Sequence, residues 1–254
     1  MRFAELVAAG VPDLGEAAFV LSAHARRGLD VDLQLGRLDE LAASCPATSA
    51  GPLCSWLARD QGFRGNAGEY YDPRNSFLDR VLDRRLGIPI TLSVLAIEIG
   101  KRLGIALVPV GMPGHFLVRD LHDGIAFYDP YADGEALDLT GAEERFHRIH
   151  GPQVAFSDEM AQPTPRPVVV DRMLANLHRI YLQRNDRSAL IWVLRLRVTI
   201  NPADVSIRRQ LAGILANVGI FWEAADHFDE LVRLQPDRAE QHIAAADRLR
   251  RRTN

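Results

Sequence analysis

NSFLDRVLDRRLGIPITLSVLAIEIGKRLG, residues 75–104, holds the longest apolar stretch of the chain, from residue 86 to residue 99. Ile90, Val94, Leu95, Ile97 and Leu103 lie within strongly helix-forming sequence that is apolar on nearly every side. Such a segment predicts a buried central helix and not a surface one. Pro89 suits a first helical turn, and Gly104 supplies the stop. The stretch is too short to span a bilayer and carries Glu98, so the buried surroundings must be protein.

Downstream the hydrophobic period changes. Residues 106–110 (ALVPV), 115–118 (HFLV) and 124–128 (GIAFY) are short β-type runs. Turn-rich GMPG at 111–114 and DLHDG at 120–124 separate them. One buried helix followed by consecutive antiparallel strands is an α+β pattern. Upstream, roughly residues 1–80 read as short helices joined by loops. Ala17, Val20, Leu21 and Ala25 recur at helical spacing after a start at Asp13 or Gly15. Leu33, Leu35, Leu38 and Leu41 predict a second helix ending before Cys45-Pro46, and FRGNAGEYYD (63–72) reads as an ordered loop.

Residues 161–167, AQPTPRP, form a proline-rich linker, and helical patterning follows to the end. Pro167, Pro202 and Pro236 are spaced by 35 and 34 residues, the period of the tetratricopeptide repeat. In the unit closed by Pro236, Leu211 and Ala212 fall on a first helix, Gly219 at the turn, and Ala224 and Phe228 on a second helix. Leu177, Tyr181, Leu190 and Leu194 fit the preceding unit with a one-residue indel, and residues 239–249 form a cap. The predicted domains are 1–160 (helical segment and α+β core), 161–168 (linker) and 169–254 (repeat helices).

Among 254 residues, 47% are hydrophobic and 25% charged, the profile of a folded globular chain. A net charge of −3 gives no field to attract nucleic acid or an anionic membrane, and no aromatic–basic interleaving suggests nucleic-acid binding. Two cysteines, Cys45 and Cys54, imply no disulfide scaffold, and zinc-type Cys/His spacings are absent. Acidic Glu5 and Asp13 interrupt the apolar N-terminal stretch, which is therefore not a signal peptide, and a cytoplasmic protein is expected. No cofactor is implied, since Gly111, Pro113 and Gly114 form no phosphate loop.

Asn75 to Leu78, Arg84-Arg85-Leu-Gly-Ile-Pro89, Arg102-Leu-Gly104, Pro113-Gly-His-Phe116 and Asp129-Pro130 together resemble the transglutaminase-like superfamily. More closely, they resemble the bacterial SirB-type family, in which a transglutaminase-like core precedes tetratricopeptide repeats. The resemblance covers most of the chain. It implies a papain/transglutaminase-like core, a buried helix packed on a small antiparallel sheet, with an all-α repeat tail. Enzymes of the superfamily place a cysteine at the N-terminus of the buried helix, where free N–H groups and the helix dipole favour thiolate. A histidine on an adjacent strand moves the proton, and an aspartate on the next strand fixes its tautomer. His115 and Asp129 match that pair.

The place of the cysteine is taken by Gly87-Ile88-Pro89-Ile90, which offers no nucleophile. Thr91 and Ser93 supply hydroxyls within the next turn, although Ser or Thr there is commonly a cap or packing residue. Cys54 is a second substitute, but Leu53, Trp56 and Leu57 beside it suggest an inert buried thiol. Asn75, Arg84, Arg85, Pro89, Thr91 and Ser93 are candidate cleft residues; Arg84 and Arg85 either bind a carboxylate or backbone group, or pair with Asp79 or Asp83. His115 and Asp129 with His122 as a third ligand form the metal alternative, which nothing in the spacing demands. The reading is a non-catalytic module that binds a protein or peptide through cleft and repeats. The rival is an amide or ester hydrolase, or acyl-transferase, using Cys54, Thr91 or Ser93 with the His–Asp pair.

Overall fold

A computed structural model describes residues 2–122 and 126–252. By internal contacts the chain divides between Met173 and Leu174. The first unit opens with four helices: α1 Arg2–Ala8, α2 Leu14–Ala25, α3 Val31–Ala43 and α4 Ala50–Arg59. Asp13 caps α2 by accepting from Glu16 N, and Asp30 caps α3 by accepting from Asp32 N and Leu33 N. Leu38 of the expected leucine stripe is buried, whereas Leu33 is 64% exposed and contributes nothing to the core.

The FRGNAGEYYD loop then runs through a two-residue strand, β1 (Arg64–Gly65), into a 3₁₀ turn at Pro73–Ser76. α5 (Leu78–Arg84) follows and ends on Arg85, which adopts left-handed φ 57 and ψ 20. Glycine commonly fills that position, and a β-carbon there costs roughly 1–2 kcal/mol. β2 (Leu86–Gly87) pairs parallel with β1, joining Arg64 to Leu86 and Gly65 to Gly87. This small ladder, unforeseen in the sequence, fixes the entry to the central helix.

The central helix, α6, spans Pro89–Arg102, and every residue from Pro89 to Gly100 is buried. Pro89 occupies its first turn, and Gly104 follows with φ 74. One sheet then forms in the order β3 (Leu107–Val110), β4 (Leu117–Asp120), β5 (Phe127–Asp129), β6 (Glu135–Leu137), antiparallel throughout. His115 and Phe116 precede β4 rather than lie in it. Gly124 and Ile125 of the expected third strand, and Asp123 and Gly124 of its preceding turn, fall outside the described residues. β6 and α7 (Leu139–His150) extend the core beyond the sequence expectation. Asp138 caps α7 on Gly141 N, and Ala142 and Phe146 form its buried face. Ala142 packs with Val110, Met112, Leu117, Phe127 and Ala161 in one apolar cluster. These elements constitute the α+β core.

Helix α8 (Arg166–Gln183) begins inside the proline-rich stretch and runs across the division. In the second unit follow α9 (Arg187–Ile200), α10 (Val205–Asn217), α11 (Phe221–Leu234) and α12 (Ala239–Arg251). Each of α10 to α12 packs on its predecessor in sequence. α9 and α11 start at residues 187 and 221, 34 residues apart; α10 and α12 start at 205 and 239, also 34 apart. Gly219 makes the α10–α11 turn with φ 85, and Leu177, Leu190, Leu194, Leu211, Ala212 and Ala224 are buried. Among the described residues no helix is long and apolar enough to cross a membrane.

Candidate functional site

The turn after β3 brings His115 to the strand-ending Asp129. Gly114 (φ 73) turns the chain, and the His115 N–H donates to Met112 O at 3.2 Å. His115 Nε2 then meets Asp129 Oδ2 at 2.7 Å, with His115 only 7% exposed and Asp129 fully buried. An ionised carboxylate only accepts, so Nε2 carries a proton, and in the neutral imidazole the lone pair is then on Nδ1. Among the described residues Nδ1 makes no hydrogen bond. The Tyr131 ring stands edge-on to the imidazole, with centroids 6.1 Å apart.

Asp129 is held from several sides. Its Oδ1 accepts from Tyr131 N at 3.0 Å and Ala132 N at 3.2 Å. Arg145 Nη1, from α7, lies 3.4 Å from Oδ2, and the same guanidinium also pairs with Glu135. Arg145 Nε is buried without a partner among the described residues. Arg172, from α8, donates to Met112 O at 2.7 Å and His115 O at 3.1 Å, and lies over the Phe116 ring at 5.1 Å. Its burial lowers the guanidinium below its ordinary range.

The N-terminus of α6 lies beside the histidine segment, as Ser93 Oγ shows by reaching Phe116 O at 3.5 Å. It provides no reactive group. Ile88, Pro89 and Ile90 are buried, and Pro89 has no N–H. Thr91 Oγ1 donates to Asn75 O at 2.7 Å, lies 3.1 Å from Ile88 O, and accepts from Ile88 N at 3.1 Å. Its single proton is committed to backbone carbonyls, which leaves a helix cap and no nucleophile. Ser93 is fully buried on its own carbonyl contact.

Cys54 sits in α4 beneath the β5–β6 turn. A β-carbon on Gly134 would come within 2.7 Å of the Cys54 carbonyl carbon, so the turn closes directly over it. Burial pushes the thiol up to about 12, and the nearby Asp129 charge pushes in the same direction. A nucleophilic cysteine needs the opposite. Cys45 and Cys54 are both free.

The remaining candidates are mostly spent on structure. Buried Asn75 accepts from Asn66 Nδ2 at 3.1 Å and Arg84 Nη1 at 3.2 Å, and donates to Glu69 O at 2.7 Å. Arg84 pairs with Asp72 at 3.1 Å, not with Asp79 or Asp83. Asp79 is instead taken by Arg26, and Asp83 by Arg37 at 2.9 Å; Arg84 stands five and one residues from them along α5, spacings that do not face each other on a helix. Arg85 faces a different cavity. His122 is exposed and donates its N–H to Asp120 Oδ1. Among the described residues no group of three His, Cys, Asp or Glu is arranged to hold a metal ion, so the metal alternative is without support. Arg145, Tyr131 and Arg172 are the site residues that sequence reasoning missed. Tyr131, two residues after Asp129, was within reach of the motif; the other two are brought in only by tertiary folding.

Residues 31–175 match the family model described as the transglutaminase-like superfamily. A UPF0162 protein from Xylella fastidiosa is 45% identical over 62% of this chain, a stretch spanning 58% of that relative's own length. A UPF0162 protein from Pseudomonas aeruginosa is 28% identical over 80% of this chain and 77% of its own. F-box only protein 21 from Homo sapiens is 37% identical over 91 residues, 32% of this chain and 14% of that protein. No solved structure matches the chain. With more than half of its length matched by the family model, the chain belongs to the transglutaminase-like superfamily.

Proposed function

We propose that this member of the transglutaminase-like superfamily is a non-catalytic module that binds a protein or peptide partner. The observation that carries the reading is the state of the groups around His115. Its base nitrogen is oriented by Asp129, but the hydroxyl of Thr91 is consumed as a cap and the Cys54 thiol is buried with its proton held to about 12. A base without a side-chain nucleophile forms no covalent acyl-enzyme. What such a core retains is a partly exposed cluster of the aromatic rings of Tyr70, Tyr71 and Tyr131 in edge contact beside His115, a surface suited to an extended peptide.

The helical second unit supports the same role. Its 34-residue recurrence of helix starts and the turn at Gly219 are what tetratricopeptide repeats require, and such stacks present extended binding faces. We read the chain as SirB-type on this combination of core and tail. Two free cysteines fit a reducing compartment, and we place the chain in the cytoplasm.

The test is a panel of chromogenic esters, peptide amides and amine acceptors, assayed with wild type and His115→Ala. Turnover at background, equal in both, is expected. Saturable turnover that disappears in His115→Ala would establish a hydrolase or acyl-transferase instead. Peptides selected on the wild type should bind more weakly to Tyr131→Ala.

A further inference from the structure

The fold splits the Arg84–Arg85 pair. Arg84 joins Asp72 and Asn75, whereas Arg85 turns into a separate cavity of about 220 Å³ lined with Arg37, Glu40, Leu41 and Leu82. Its guanidinium stands over the Phe63 ring at 4.3 Å and makes no ion pair or hydrogen bond among the described residues. Burial, then the charge of Arg37, lowers it below the ordinary arginine range. Arg37 itself is held by Asp83 at 2.9 Å and Gln34 at 2.9 Å. Glu40, the one carboxylate of the lining, also has no ion-pair partner among the described residues, and does not pair with Arg85.

The cavity therefore offers a half-buried cation stacked on Phe63, an exposed anion and two leucine side chains. A simple anion would satisfy Arg85 and be repelled by Glu40. An uncharged apolar molecule would leave both charges unmet. A small zwitterion with a branched apolar body satisfies all three. The volume lies below the ~300–1,000 Å³ of pockets for larger ligands, which suits a molecule of this size. The backbone adds an independent indication. Arg85 sits at φ 57, where glycine is usual, and a strained residue with an uncommitted charge marks a site used for that charge.

We propose that this cavity binds a free aliphatic α-amino acid. Its carboxylate meets Arg85, its ammonium meets Glu40, and its side chain rests on Leu41 and Leu82. The proposal is independent of the non-catalytic reading of the His115 site.

The experiment is calorimetric titration of the full chain with L-leucine, leucinamide, 4-methylpentanoate and inorganic phosphate, on wild type, Arg85→Gly and Glu40→Gln. Glycine relieves the left-handed backbone, so Arg85→Gly should melt no lower than wild type by more than a degree or two. Leucine should bind the wild type in the millimolar range or tighter, and Arg85→Gly should weaken it on the order of tenfold or more. Glu40→Gln should weaken leucine but not 4-methylpentanoate, and leucinamide should be poor throughout. No leucine binding at about ten millimolar, leucine binding unchanged in Arg85→Gly, or phosphate binding as tightly as leucine would each overturn the proposal.

Discussion

Alkylation of the two cysteines separates a dormant thiol from a concealed nucleophile. Burial, and then the Asp129 charge, pushes the Cys54 thiol up to about 12 from an ordinary 9.0. At about pH 8 an ordinary thiol is roughly one-tenth thiolate, and one titrating at 12 is about one part in ten thousand. The ionisation term alone thus slows alkylation on the order of a thousandfold, and burial under the Gly134 turn adds the need for local opening. Iodoacetamide labelling followed by peptide mass mapping, with the more exposed Cys45 as internal reference, measures the ratio. In guanidinium chloride both cysteines should label at similar rates. In the native chain Cys54 should lag Cys45 by about three orders of magnitude, and His115→Gln should leave that lag unchanged. A Cys54 that labels ahead of Cys45, or that slows when His115 is removed, would mean a His–Cys couple exists and would refute the reasoning.

Asp129→Ala removes the acceptor for His115, Tyr131 N and Ala132 N and one of the two carboxylate partners of Arg145, so it should cost about 3–5 kcal/mol in urea denaturation. Asp129→Asn, whose amide oxygen still accepts, should cost less. Thr91→Val leaves the buried Ile88 N–H and Asn75 carbonyl without the hydroxyl, for a loss of about 2–4 kcal/mol by the same measurement. Thr91→Ser should recover most of it. In the second unit, burial and then Arg208 lower His227 below 6.5, Arg195 acting in the same direction against Glu223 and Asp226. The unfolded chain binds this proton more readily, so stability is full above about pH 6.5 and falls as the pH drops through the lower folded value. Hydrogen exchange in α10 and α11 should accelerate over that interval, and His227→Gln should flatten the response.

The central helix was legible because apolarity on all sides of a stretch too short to span a bilayer calls for burial within the protein, and residues 89–100 are indeed buried. The His115–Asp129 pair was legible because Pro-Gly-His and Tyr-Asp-Pro place two chemical groups at the ends of adjacent strands, where the sheet brings them together. β6 escaped notice for a physical reason. Its three residues, Glu135, Ala136 and Leu137, are exposed or half-buried and carry no alternation to detect. Arg145 escaped with it, since nothing local to α7 says that its guanidinium reaches a carboxylate sixteen positions earlier. The pairing expected for Arg84 failed because Asp79 and Asp83 look adjacent along the chain. In the structure Arg26 and Arg37, from the preceding helices, reach those carboxylates, while Arg84 turns back to Asp72. Sequence proximity guides ion pairs on a helix only at spacings of three or four, as Arg80 and Asp83 show at 3.6 Å.

The bonding of Asp129 gives the histidine and aspartate of the site a reason to stay in register that needs no catalysis. Besides His115, Asp129 accepts two backbone N–H groups from Tyr131 and Ala132, so it shapes the turn from β5 into β6. That turn places Gly134 over Cys54 and Glu135 beside Arg145, tying α4 and α7 to the sheet edge. A buried carboxylate with these duties is retained for folding, and it requires donors on every side because a half-satisfied buried charge is costly. His115 is then one donor among four. On this account a residue that keeps a donor at the Nε2 position preserves the fold, so His115→Gln should hold most of the wild-type stability while His115→Ala should not. A catalytic account predicts no such distinction. Equal stability of the two variants would remove the structural reason for keeping the histidine and return attention to proton transfer at Nδ1.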